Sequence, residues 1–445
     1  MSTTSSESQR AAGTTPLLDR PSYQYYVLFV LVLGYIFNVI DRGVLAVLQL
    51  NIREELEISR TMMGLLTGLG FGLFYAVMGI PIARLADRWS RVNVLALAIS
   101  LWTVSTALCG AAYNYVSLAI FRTATGVGEA GGSPPSHSLI SDYFPTSRRA
   151  TALAIYAMSV PIGTAIGNIA SGWSNEYFGW RWTFVIVGLP GVLVSLLVWL
   201  TVKEPTRGYA DGRRVIAKEQ APPFLDVFRF LLTRRSFMHM STAAALHAVM
   251  WYAGSNWNAE FFRTWHGMSS GVAGNYLAMF ALIGAIGSFL GGFLADRLST
   301  RNDDKRWYMW VPGVACLSMV PLQFVSYLSP NLTLVVPCFS IMVVLASMFF
   351  GPSFSVAQSI ATVRMRAVSA SVLLFIQSII GLTLGAALPG TISDLLAPTS
   401  GEAALPYAMV IVGFANIWAA VHYFLGARTY RQDLAETAKL NAAAG

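Results

Sequence analysis

Twelve apolar runs, each long enough to cross a bilayer and separated by short polar gaps, decide what this 445-residue chain can fold into. A helix needs about 20 mostly apolar residues to span about 30 Å of hydrocarbon. Runs of that kind fall near 25–50, 62–86, 92–112, 115–140, 149–172, 182–202, 237–260, 271–295, 307–328, 332–361, 367–395 and 404–426. Only 12% of the residues are charged, against about 25% in soluble domains, so a soluble fold is excluded. The first run is too long for the apolar core of a signal peptide and no small-residue cleavage site follows it, so it is expected to remain in the mature protein. The fold class that follows is an all-α membrane protein with twelve transmembrane helices.

An even number of spans puts both termini on one side, and the basic residues say which. Of 30 Lys and Arg, 24 lie in the two tails and the loops on the tail side, four (Arg53, Arg60, Arg181, Arg263) lie on the other side, and Arg42 and Arg122 lie within spans. The positive-inside rule then predicts cytoplasmic termini. The net charge of +8 is thereby explained by topology, and a nucleic-acid partner has no support. The longest loop divides the spans six and six. The expected organisation is a disordered cytoplasmic tail (1–22), an amino-terminal bundle (23–202), a cytoplasmic linker (203–236), a carboxy-terminal bundle (237–428) and a second cytoplasmic tail (429–445). Cys109, Cys316 and Cys338 sit in apolar runs with no metal or redox spacing, and read as buried thiols.

The halves echo one another. Leu85-Ala86-Asp87-Arg88 after span 2 recurs as Leu294-Ala295-Asp296-Arg297 after span 8, and Arg149-Ala150 recurs as Arg366-Ala367. Gly163 and Gly167 in span 5 recur as Gly381 and Gly385 in span 11.

Ionisable groups within a span are costly and usually face a cavity or a partner. By helical rise, Asp41 in span 1 and Arg122 in span 4 reach similar depths, ~13 Å and ~11 Å from the side opposite the tails. Glu129 lies two turns beyond Arg122 on one face, and Asn38 shares a face with Asp41. The expectation is a cluster of Asp41, Arg122 and Glu129, with a static tie between spans 1 and 4 as the alternative. Arg42, turned ~100° from Asp41, is not expected to share that face. It is placed with the substrate contacts, a backbone carbonyl or the membrane interface being its alternatives. Two acids beside one base suggest proton coupling, in which Arg122 parts from an acid in one conformation and rejoins it in another. A substrate phosphate competing for Arg122 would drive the exchange.

Ala83-Arg84-Leu85-Ala86-Asp87-Arg88-Trp89-Ser90-Arg91, its second copy from Gly292 to Arg297, Arg122-x-x-x-Gly126 and Glu204-Pro205 resemble the signatures of the major facilitator superfamily. Ala and Ser replace two of that family's glycines in the first copy. Asn38-x-x-Asp41-Arg42-x-x-Leu45-Ala46 with Gly126-x-Gly128-Glu129-Ala130 narrows the likeness to bacterial homologues of the Spinster lipid transporters. The resemblance implies two six-helix halves, spans 1, 4, 7 and 10 around a central cavity, alternating access, and a monomer in the bacterial inner membrane. It implies proton-coupled movement of amphipathic lipids such as sphingosine-1-phosphate or lysophospholipids, with the proton as coupling ion and no other cofactor.

Asp41, Glu129 and Arg122 are then the expected coupling residues. Substrate contacts are expected from Arg122, Arg42, Asn38, Trp251, Tyr252, Asn256, Phe350 and Gln377. His247 is read as a packing histidine. By family analogy Asp87 caps the start of span 11 near Arg366 and Asp296 caps span 5 near Arg149, so that Asp87, Arg88, Arg91, Arg149, Asp296, Arg297 and Arg366 form a cytoplasmic gate. Transport of a small organic anion or drug, and a non-transporting membrane receptor or sensor, are the other readings. An enzyme is not expected, because no catalytic triad, metal spacing or phosphate loop is present.

Overall fold

The structure, a computed structural model, describes residues 17–211 and 223–443. Residues 1–16 of the predicted first tail and 212–222 of the linker lie outside it. Every regular element among the described residues is helical. Span 1 is Pro21–Leu56, span 2 is Arg60–Arg88 with a π turn at Leu66–Gly70, and span 3 is Arg91–Cys109. Span 4 is broken into Tyr115–Glu129 and Ser133–Tyr143. Spans 5 and 6 share the stretch Thr146–Thr201, and Gly179, at φ 77°, provides the reversal between them.

The second half repeats the plan. Spans 7, 8 and 9 are Arg235–Trp265, Ser270–Arg301 and Trp307–Leu328. Span 10 is broken into Leu332–Ser347 and Phe350–Ser359. Span 11 runs from Arg366–Gln377 through a π turn at Ser378–Leu382 to Thr383–Ser400, and span 12 comprises Ala404–Gly413 and Ala415–Ala443. Eight stretches are long and apolar enough to cross a membrane by length and composition, and two of these, Thr146–Thr201 and Val368–Ala442, contain two crossings each. The crossings outside that set are spans 4 and 7. They carry Arg122 and Glu129, and His247, Asn256 and Glu260. Such helices are stable in a membrane when their polar groups face protein or a cavity, so composition alone marks these two as central.

The predicted tail from 429 is a docked helix through Ala443. Asp433 accepts hydrogen bonds from the Ser236 backbone N–H (2.8 Å) and hydroxyl (2.5 Å), and Thr437 donates to the Ile360 carbonyl (2.9 Å). Arg431 and Arg306 both reach Asp304 at 2.8 Å. Burial pushes the Asp304 carboxyl up, but hydrogen bonds from Arg306 and Arg431 outweigh it and hold it at about 2. The linker binds both halves. Arg207 meets Asp87 at 3.3 Å, and the short helix Phe224–Thr233 sets Phe224 edge-on to Phe375 of span 11.

The halves meet along three pairs of spans: 1 with 7, 2 with 11, and 5 with 8. A shared apolar core fills the side opposite the termini, joining Leu48 and Ile52 of span 1 and Met63 of span 2 to Ala253, Trp257 and Phe261 of span 7. Backbones touch where spans 5 and 8 cross, because a Cβ on Gly274 would lie 2.4 Å from the Asn168 carbonyl oxygen. Backbone oxygen has no rotamer through which to move aside. Gly274→Val is therefore expected to cost about 2 kcal/mol through overpacking and to lower the unfolding temperature in detergent by a few degrees. Gly292→Val, where a Cβ meets nothing within 4 Å, is the control that should leave the melting curve unchanged.

Candidate functional site

The break in span 4 builds the centre of the molecule. Pro134 and Pro135 have no backbone N–H to continue the helical ladder, so the chain turns through Ala130, Gly131 and Gly132 and restarts. The Gly132 N–H closes the turn on the Glu129 carbonyl at 3.0 Å. Gly128, one residue before Glu129, lies against span 3 so closely that a Cβ would sit 2.7 Å from the Trp102 nitrogen. Glu129 is thus fixed at the end of a half-helix, with its side chain fully buried.

Its partner is Arg42. The Arg42 Nε donates to Glu129 Oε2 at 2.7 Å, and the Arg42 side chain is 37% exposed although it lies midway across the protein. The Arg42 guanidinium also lies 4.8 Å from the Tyr75 ring centre. Tyr252 faces it from the carboxy-terminal half. Trp251 stands edge-on to Phe350 at 5.4 Å. Asn256 donates its side-chain N–H to the Tyr252 carbonyl, within its own helix (2.8 Å).

Three sequence expectations are corrected here. Arg42 does join the polar cluster: Asp41 points into the amino-terminal bundle, and the 100° turn that separates the two side chains aims Arg42 at the cavity and Glu129. Arg122 reaches neither carboxylate. It donates to the backbone carbonyls of Asp41 (3.0 Å) and Arg42 (3.3 Å), and is only 3% exposed behind the Phe71 ring, whose centre lies 4.9 Å away. Asn38 and Gln377 are buried at 2% and 5% exposure, so neither is open to a substrate in this conformation. His247 is fully buried between Asn416 and the Ala346 carbonyl, at 2.8 Å from each, as a packing histidine would be.

In this conformation, open toward the terminal face, each gate acid is engaged within its own half or by the linker. Asp87 meets Arg207 of the linker, and Asp296 accepts from Tyr308 of its own half (2.5 Å), so neither caps the opposite half. Arg91 is a clamp within the amino-terminal half, where its guanidinium holds Asp142, Glu204 (2.7 Å), Ser138 and the Pro205 carbonyl together. Arg149 donates to the Ser141 and Phe144 carbonyls at the end of span 4. Arg297 lies 5.9 Å from the Phe293 ring centre, and Arg88 and Arg366 are exposed.

Acids that cap the opposite half do exist, on the other face. Asp394 of span 11 accepts from the Thr61 N–H and hydroxyl, both at 2.7 Å, at the start of span 2. Glu176 of span 5 accepts from the Gly271 N–H at 2.7 Å at the start of span 8. The two acids stand 218 residues apart, as do Gly163 and Gly381, so the internal repeat contained this pair. Beside them, Glu260 of span 7 takes Arg53 (2.5 Å) and Arg60 (2.6 Å) of the other half on one carboxylate oxygen, Oε1. Arg263 donates to Asn51, and Asn175 to Ser270. The sequence signal for this latch was the scarcity of bases here. Of the four, Arg53, Arg60 and Arg263 bond across the halves, and Arg181 holds Glu55 at 2.7 Å. With this face sealed by charge and apolar core, the exposure of Arg42 belongs to a cavity opening toward the face that bears both termini.

A polar centre between two pseudo-symmetric bundles, sealed on one face, defines an alternating-access transporter. The sequence profile of the Major Facilitator Superfamily matches residues 31–386, and the chain belongs to that family. The solved structure of a bacterial homologue of the human lysosomal transporter Spinster, inward-facing and unoccupied, is 33% identical with a TM-score of 0.85, covering 95% of this chain and 99% of that one. A protein of Mycolicibacterium smegmatis named as an MFS-type efflux pump is 30% identical over 97% of this chain and 99% of its own length. A protein of Bacillus subtilis named as a probable galactarate/D-glucarate transporter is 26% identical over 77% of this chain and 79% of its own length. The chain is an integral membrane transporter homologous to Spinster, and not an enzyme.

Proposed function

We propose that the protein moves an amphipathic lipid of lysophospholipid or sphingoid-phosphate type by proton-coupled alternating access, with both termini on the cytoplasmic side of a bacterial inner membrane. The observation that carries this reading is the Arg42–Glu129 pair, a fully buried carboxylate held by a guanidinium that is exposed midway across the protein. Guanidinium binds phosphate bidentately. Arg42, not Arg122, then takes the headgroup, and the chain lies along Trp251, Tyr252 and Phe350. Spinster homology and an efflux-pump relative support the class. Glu129, released from Arg42 by the headgroup, takes up a proton, and Asp41 is the second protonatable acid.

The test is proteoliposome transport of a labelled lysophospholipid, a labelled sphingoid phosphate and labelled galactarate, each with and without a pH gradient. Gradient-driven lipid movement is expected, and Asp41→Asn should abolish the response to the gradient while leaving the protein folded. A second reading rests on the sugar-acid relative, in which Arg42 holds a small carboxylate. Galactarate moving while neither lipid does would establish that reading instead.

A further inference from the structure

Asp41 is cut off from the central cavity. It is 0% exposed, and its carboxylate has the Thr106 hydroxyl beside it but no hydrogen bond of ordinary geometry within the protein. The charged groups facing it are Glu129 and Arg122 of span 4, with Thr106 and the Cys109 thiol of span 3 beside it. Arg42, its neighbour in sequence, faces the other way. The Phe71 ring, 4% exposed, has both guanidinium groups within 6 Å of its centre, Arg122 at 4.9 Å and Arg42 at 5.7 Å. An acid that couples transport to protons must meet water in some way, and the cavity does not supply it here.

One helical turn toward the termini, the amino-terminal half holds a crevice of about 10 Å³, lined among others by Tyr35, Asn38, Trp102, Ser136 and Tyr156. That is close to the space one water needs. Asn38 is three residues before Asp41 on span 1, and Trp102 is four before Thr106 on span 3, so the crevice lies ~5 Å below the acid along both helices. Two buried donors at this crevice lack a partner in the protein: the Asn38 side-chain N–H₂ at 2% residue exposure and the Trp102 indole N–H at 1%. A buried donor left unpaired costs about 1–3 kcal/mol, so two of them around a water-sized space point to an occupant that accepts hydrogen bonds. Acceptors line the same space. The Ser136 hydroxyl donates to the Gly132 carbonyl at 2.8 Å and stands beside the Tyr156 hydroxyl, whose ring stacks on Tyr35 at 4.7 Å. His137, exposed, stands edge-on to Tyr156 at 5.3 Å and continues the polar line toward the terminal face.

We infer that Asn38 and Trp102 hold a buried water that is the aqueous contact of Asp41, so that protons reach this acid through the interior of the amino-terminal bundle and not through the substrate cavity. The water gives one proton to the carboxylate and recovers one from the hydroxyls of Ser136 and Tyr156, which are resupplied from the terminal face. The inference rests on the proton-coupling reading above, and it separates the proton path from the substrate path by the thickness of span 1. A lipid filling the cavity would leave Asp41 free to exchange.

The test is hydrogen–deuterium exchange of the Asp41 acid band by infrared spectroscopy, the band being assigned by its loss in Asp41→Asn. Asn38→Leu, which fills the crevice with apolar atoms, is expected to slow exchange at least about tenfold, equivalent to one lost hydrogen-bonded water. Trp102→Phe keeps the ring, removes only the N–H, and should slow exchange in the same direction with the fold intact. Filling the central cavity instead, by alkylating Tyr252→Cys in a Cys338→Ala background with a bulky maleimide, should leave the rate unchanged. Native exchange rates in both crevice variants, or exchange blocked by the cavity adduct, would overturn the route alone. An Asp41 acid band absent at every pH the protein survives would end the coupling reading along with it.

Discussion

Glu260→Gln should open the face opposite the termini. In the native protein one buried carboxylate oxygen holds Arg53 and Arg60, whose side chains are 15% and 16% exposed, while the carboxylate itself is 0% exposed. Removing the charge leaves two guanidinium groups close together with no anion between them. Breaking a buried pair in this way costs about 3–5 kcal/mol, which is roughly a hundredfold or more in an equilibrium constant. The cost falls on one conformation only, because the latch joins spans 1 and 2 to span 7 and exists only when this face is shut. The remaining ties are the hydrogen bonds of Asp394 to span 2, Glu176 to span 8, Arg263 to Asn51 and Asn175 to Ser270 together with the apolar core, and none of them places an anion between the two guanidinium groups.

Spin labels at Tyr113→Cys and Glu402→Cys, on exposed loops of opposite halves, read the separation directly by double electron–electron resonance in a Cys338→Ala background. The native protein should give mainly the short distance and Glu260→Gln mainly a longer one. Turnover should fall as well, since return to the closed state becomes the slow step. Identical distance distributions would show that the latch does not set the conformational balance.

The arrangement of spans in this molecule was legible because a bilayer reduces the question to length and apolarity. Twelve apolar runs suffice for that. The break in span 4 was not read, since 115–140 forms one apolar run, although Gly131, Gly132, Pro134 and Pro135 leave no continuous helical ladder there. The π turns at Leu66–Gly70 and Ser378–Leu382 were not legible either, since nothing in either sequence forbids an ordinary helix, and they follow from the fit of spans 2 and 11 against each other. Pairing inside the site was misread for a definite reason. Depth along the helices brings Asp41 and Arg122 level, but rotation decides contact. The structure turns Asp41 into its own bundle and gives Arg122 to two backbone carbonyls. The latch was missed because Glu260 lies at the end of a span, where an acid looks like ordinary surface. It takes the three-dimensional meeting of the halves to show that two of the four bases on that side converge on it.

Arg42 and Glu129 should behave as one unit in transport. Arg42→Ala removes the group that receives an anionic headgroup. Glu129→Gln removes the acid that the headgroup displaces, leaving Arg42 with nothing to part from. Each is expected to lower gradient-driven lysophospholipid transport by about a hundredfold, on the scale of one lost transition-state ion pair. Once either partner is absent, the other has no exchange left to perform. The double variant should therefore fall no more than about threefold below the worse single one, a coupling of roughly 2 kcal/mol in a double-mutant cycle. Strictly additive losses would mean that the two residues act separately and that the pair is only a tie between spans 1 and 4.

A calorimetric measurement distinguishes the exchange from simple loss of binding. When a phosphate takes Arg42, the Glu129 carboxylate loses the guanidinium that hydrogen-bonds it and is left buried beside Asp41, where a charge is removed most cheaply by a proton from solvent. Lysophospholipid binding to the native protein should then take up close to one proton, visible as a binding enthalpy that changes with the ionisation enthalpy of the buffer. Glu129→Gln should bind with no such dependence. Equal buffer dependence in the two proteins would move the proton to another group, with Asp41 the next to test by the same titration.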